Sequence, residues 1–159
     1  MADEKREFLR HTLATVAYRG GKAVRGVTAE FAEFRANESS RTPAKILAHV
    51  GDLFDWALTM AEGKQAWKDS EPQPWEQEAE RFHSTLKKFD DYLASNLPLA
   101  ATPEMLFQGP IADALSHIGQ IAMLRRWAGT TMKSENYAKA EIVAGRVGAD
   151  QTAPKREFD

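Results

Sequence analysis

The sequence predicts an all-α protein folded as a four-helix bundle, and three observations carry that expectation. Four segments place apolar residues at spacings of three and four. Threonine, proline and glycine stand where those segments begin and end. No stretch alternates apolar and polar residues as a strand on a core would.

The first helix is expected from about Asp3 to Tyr18, with Leu9, Leu13, Val16 and Ala17 on one side and Gly20 and Gly21 ending it. A long connection then runs to about Arg41. Phe31 and Phe34 are expected to pin it to the body, because a structureless loop of that length is uncommon. Arg19, Lys22 and Arg25, in "YRGGKAVRG", read as a solvated loop.

The second helix has a clear start. Thr42 can cap it, and Pro43 can take the first helical position, where a missing N–H does no harm. Ile46, Val50, Leu53, Ala57 and Met60 follow, and Gly63 closes the run. The third helix opens near Pro74. Its residues Trp75, Ala79, Phe82, Leu86, Phe89 and Leu93 make an unbroken bundle seam.

Thr102 and Pro103 offer another cap. Pro110 would remove a hydrogen bond and clash with the preceding turn of a helix. The region therefore divides into a short turn at about 103 to 108 and a main helix from Pro110 to about Ala128, stopped by Gly129. From about residue 130 the periodicity is weak. A short helix near Tyr137 to Ile142 and then an irregular tail are expected, packed on the bundle or extending from it. Residues 1–159 read as a single domain.

Composition narrows the functional classes. The chain is 43% hydrophobic and 28% charged, ordinary for a soluble globular protein. Its net charge of -2 opposes a nucleic-acid partner, which favours a basic field. With no cysteine, disulfides, thiolate ligands and a cysteine nucleophile are all removed. The opening "MADEKREFLRHTL" lacks the apolar centre of a signal peptide, and no apolar run is long enough to span a bilayer. A cytoplasmic protein with no membrane partner is the expectation.

The functional signal is a polar stripe in "IADALSHIGQIAML". Asp113, His117, Gln120 and Leu124 fall on one helical line. Ile111, Leu115, Ile118, Ala122 and Met123 make much of the remaining circumference apolar, so the helix reads as largely buried. A buried carboxylate needs a charge partner or a cation. The second helix carries a match, because His49 lies between Ile46, Val50 and Leu53.

Bundle cores build metal sites from side chains on facing helices. Two imidazoles and a carboxylate suit a divalent transition metal with open positions for water or ligand. The candidate ligands are therefore His49, Asp113 and His117, with Gln120 as an orienting neighbour. Each also has a structural alternative. Asp113 can serve the helix dipole, His117 can bond to Asp113 or Gln120, and His49 can donate to a carbonyl.

His11 and His83 read as surface residues. Asp52 and Asp55 read as a solvated face, and Trp56 as core packing or a pocket wall. Glu141 is a further ligand candidate that nothing in the sequence places.

"ILAHVGDLFDWAL" followed by "DALSHIGQIAMLRRWAG" resembles the DinB-like superfamily of metal-binding four-helix bundles. The tail "NYAKAEIVAGRVGADQ" is also similar to one branch of it. His49 matches the histidine of the family's second helix, and His117 the last histidine of its final motif. Asp113 departs from it, standing where many members have histidine.

The resemblance implies a divalent metal, zinc or nickel ahead of manganese and iron. It also implies a homodimer and transferase or isomerase chemistry with a low-molecular-weight thiol and an unknown small-molecule substrate. The expected function is a metal-dependent transferase. The alternatives are a metal-dependent hydrolase and a non-catalytic dimeric binding or scaffold protein whose polar trio is structural.

Overall fold

The computed structural model describes residues 3–159, and four long helices make the bundle. They are α1 (Glu4–Val24), α3 (Pro43–Glu62), α4 (Trp75–Ala94) and α6 (Ala112–Trp127). Two single turns lie between them, α2 (Ala29–Ala32) and α5 (Pro103–Leu106). Helix α3 packs against α4 and α6, and α1 packs against the same two. The four therefore run around the core in the order α1, α4, α3, α6. This order makes α3 and α6 neighbours, which the candidate site requires.

The caps are those the sequence offers. The Lys45 amide donates to the Thr42 hydroxyl at 3.2 Å, with Pro43 in the first turn. The Met105 amide donates to Thr102 in the same way. Helix α6 closes on Gly129, whose φ of 77° is in the left-handed region glycine tolerates. There the Thr130 amide donates to the Arg125 carbonyl at 3.0 Å, satisfying an end of the helix.

The predicted seam of α4 is buried at Trp75, Phe82, Leu86, Phe89 and Leu93. Phe54, Phe82 and Phe89 are among the largest fully buried side chains. Burying a side chain of that size contributes about 1.5–3 kcal/mol. Phe31 pins the first connection as expected, meeting Trp75 edge to face at 5.7 Å.

Two expected helix boundaries are wrong. Gly20 and Gly21 do not end α1, which continues to Val24 with both glycines buried. A Cβ on Gly20 would lie 2.4 Å from Phe82 Cζ and 2.9 Å from Ile118 Cδ1. Glycine is there to let three helices meet. Lys22 is accordingly not in a solvated loop. It is buried and bonds to Glu135 at 2.7 Å and Glu157 at 2.9 Å.

Pro110 also does not begin a new helix. Phe107–Ile111 form a π-helical turn that carries the chain from α5 into α6 without a gap. The wider turn accommodates a proline that an α-helical turn would exclude.

The segment after α6 is ordered around short contacts. Ser134–Glu135 pair antiparallel with Glu157–Phe158, a pairing the sequence pattern did not announce. The expected helix at 137–142 is a shorter 3-10 turn, Tyr137–Lys139. Tyr18 donates to the buried Glu135 carboxylate, and Arg19 stacks on Tyr137 at 4.2 Å, so this segment is tied to α1. Buried Arg125 of α6 donates to the carbonyls of Lys22, Ala23 and Arg25, satisfying the C-terminus of α1.

Candidate metal centre

His49 lies in the first half of α3, and Asp113 and His117 lie one turn apart on the adjacent α6. Asp113 bridges the two histidines. Its Oδ2 is 3.6 Å from His49 Nε2, and its Oδ1 is 3.5 Å from His117 Nε2. The imidazole rings stand edge to face with centroids 4.7 Å apart. One donor atom from each of the three lies within 4.8 Å of the others, close enough to hold a metal ion.

The donor chemistry fits such an ion. Bonds of about 2.0–2.1 Å place tetrahedral ligands about 3.3 Å apart. The two histidine–carboxylate separations need to shrink by only a few tenths of an ångström.

Tautomer and charge fit as well. His117 Nδ1 and Gln120 Oε1 are 2.8 Å apart. Since Oε1 only accepts, Nδ1 carries the proton, and in the neutral ring Nε2 is left with its lone pair toward Asp113. Burial pushes the His49 imidazole below its ordinary pKa. The neighbouring His117 and Arg41 add to that, and Asp113 opposes it. His49 is thus held toward the neutral form that a metal requires.

The apolar circumference of α6 predicts a site in the bundle core, but the site is not there. His49 and His117 are half-buried, but the Asp113 side chain is 48% exposed, and Gln120 is exposed. The polar stripe runs along the edge of the α3–α6 seam. Met123 and Trp127 of α6 also face outward, at 51% and 63% exposure.

Other candidates lie elsewhere. Glu141 pairs with Lys155 at 3.3 Å and Arg146 at 3.9 Å, away from the triad. His83 is half-buried, not a surface residue, and its Nδ1 meets the Val147 carbonyl at 3.3 Å. Burial lowers its pKa as well. His11 is exposed, as expected.

Asp52 is not on a solvated face. It is buried and accepts from Arg81 of α4 at 2.6 Å, while Asp55 accepts from the same guanidinium at 2.9 Å. Asp52 also accepts from the Ser70 amide at 2.8 Å and the Ser70 hydroxyl at 2.7 Å. Those bonds hold the loop between α3 and α4 against α3.

That loop supplies the residue sequence reasoning missed. Trp67 meets His49 edge to face at 5.5 Å and Trp56 at 5.8 Å. The available signal was a lone tryptophan in the polar stretch "EGKQAWKDSEPQP". Trp56 is half-buried and reaches the site through Trp67.

No helix among the described residues is long and apolar enough to cross a membrane. Comparison of the chain with protein-family models, with curated proteins and with solved structures finds no match in any of the three.

Proposed function

We propose that the chain is a metal-dependent enzyme of the DinB-like type, a transferase that uses a small thiol. One divalent ion would be held by His49, Asp113 and His117. The observation that carries this reading is the spacing of the donors, with one carboxylate 3.5 and 3.6 Å from two imidazole nitrogens on facing helices. The bond between His117 and Gln120 supports it, because ligating histidines commonly fix their second nitrogen in this way.

Zinc or nickel heads the candidates, since two imidazoles and a carboxylate suit either, and manganese or iron can take the same set. The ion would supply Lewis acidity that holds a thiol or water in its deprotonated form at neutral pH. The thiol must come from outside, as the chain has no cysteine. Asp113 would offset part of the ion's charge, and Trp67 would restrict water on the His49 side.

The test is cobalt(II)-substituted protein titrated with cysteine, glutathione and 2-mercaptoethanol. A near-ultraviolet thiolate-to-cobalt band in the parent, absent from His117→Ala, is expected. Metal binding with no such band for any thiol contradicts the thiol chemistry and favours the hydrolase variant.

One observation bears on a homodimer, which the alternative of a non-catalytic dimeric binding protein also requires. Phe8, Met105 and Phe107 are exposed where α1 meets α5. A homodimer belongs to both readings. Analytical ultracentrifugation is expected to show a dimer that Phe8→Lys weakens. A monomer at every concentration contradicts the dimer.

A further inference from the structure

Several open clefts mark the surface, and their charges distinguish them. The cleft beside Trp75 and His83 carries Arg25 and Lys87, but Glu76 and Glu80 stand with them. The cleft beside Phe8 and Phe107 pairs Lys5 with Glu4 and Glu104. The groove along the outer side of α6 differs from both. It encloses about 510 Å³ and is lined by Arg41, Ile46, His117, Met123, Leu124 and Trp127 among others. Among the described residues no carboxylate lines it and Arg41 forms no ion pair. In an otherwise net-acidic chain, this groove therefore has an unpaired guanidinium beside the apolar side chains of Ile46, Met123, Leu124 and Trp127.

We propose that this groove binds a small amphipathic carboxylate, its anionic head paired with Arg41 and its apolar body lying on Met123, Leu124 and Trp127. A guanidinium offers a carboxylate two parallel N–H donors. Tryptophan and methionine supply broad, adaptable apolar contact. The volume lies in the range of small-molecule sites, about 300–1,000 Å³.

His117 belongs to both the groove and the triad. The bound carboxylate would therefore sit beside the metal centre, which makes the groove the substrate's seat. That last step rests on the metal reading, whereas binding in the groove does not.

The experiment compares 4-phenylbutyrate with its neutral counterpart 4-phenylbutanol. Binding is measured by calorimetry and by two-dimensional amide NMR, on protein treated with chelator and again after zinc loading. Saturable binding of the acid to metal-free protein is expected, with shifts at the Trp127 indole N–H. The alcohol should bind about tenfold more weakly, and Arg41→Gln should bring the acid down to the level of the alcohol.

Equal affinity for acid and alcohol, or an Arg41→Gln variant that binds the acid unchanged, overturns the proposal. So does the absence of saturable binding up to about 10 mM. So does a dimer that Trp127→Ala dissociates, because a second copy then covers the groove. If the metal-free protein binds the acid but the chain takes up no metal, the metal reading fails and the groove stands.

Discussion

Gln120 Oε1 accepts the His117 Nδ1 proton at 2.8 Å, from one turn further along the same helix. The bond leaves Nε2 as the free nitrogen on the side of Asp113. Gln120 is exposed, so removing it takes little from the core. Gln120→Leu is expected to lower metal affinity about 10- to 100-fold, the usual cost of losing a ligand's orienting partner. Competition against a chromogenic chelator measures this. Unchanged affinity contradicts the role given to Gln120.

Asp52 links stability to the site. It joins α3 to α4 through Arg81 and holds the Ser70 backbone, and with it the loop that sets Trp67 on His49. Asp52→Asn removes one charge opposite a half-buried guanidinium that keeps Asp55, and is expected to cost about 1.5–3 kcal/mol. Protease cleavage within residues 64–74 should also accelerate. Thermal unfolding and timed proteolysis check the two effects, and an unchanged loop contradicts the tether.

Glu78 gives a pH dependence with a definite sign. Its side chain is buried, and among the described residues Oε2 has no hydrogen-bond partner. Burial raises its pKa above the ordinary 4.5, against the pull of Arg81. A raised folded-state pKa favours folding below the unfolded value, and that contribution is lost as pH rises through the folded one. Glu78→Gln should therefore melt about 2–4 °C above the parent at pH 7. The margin should close as pH falls toward 4.5. A variant that melts lower at pH 7 contradicts this.

Gly20 tests the packing of α1. Alanine would gain about 1 kcal/mol of helix propensity at an unhindered position. Here its Cβ would sit 2.4 Å from Phe82 Cζ. Gly20→Ala is expected to lose about 1–3 kcal/mol by overpacking. Denaturant unfolding measures it, and a gain in stability contradicts the close approach.

The helices were legible wherever local chemistry decides them. Thr42 with Pro43, and the α4 seam from Trp75 to Leu93, need no tertiary information. Gly20 and Pro110 were misjudged because a one-dimensional pattern gives a breaker and a close-contact residue the same letter. Only Phe82 and Ile118, brought in from other helices, explain Gly20.

The triad was legible because both histidines and the aspartate interrupt apolar helical faces. Its depth was not, since Met123 counted as core in the pattern yet faces outward. Asp52 looked solvated because its partner Arg81 comes from another helix. Trp67 escaped notice because no periodicity places a loop residue.

The most direct test of the account is the metal content of untagged protein purified without chelators, beside His117→Ala, after both are offered zinc, nickel, manganese and iron(II). The account predicts about one tightly held ion per chain in the parent and its loss in the variant, whose fold persists by circular dichroism. A parent that retains no ion from any of the four contradicts it, and the triad is then an ion-paired cluster at the surface of the bundle.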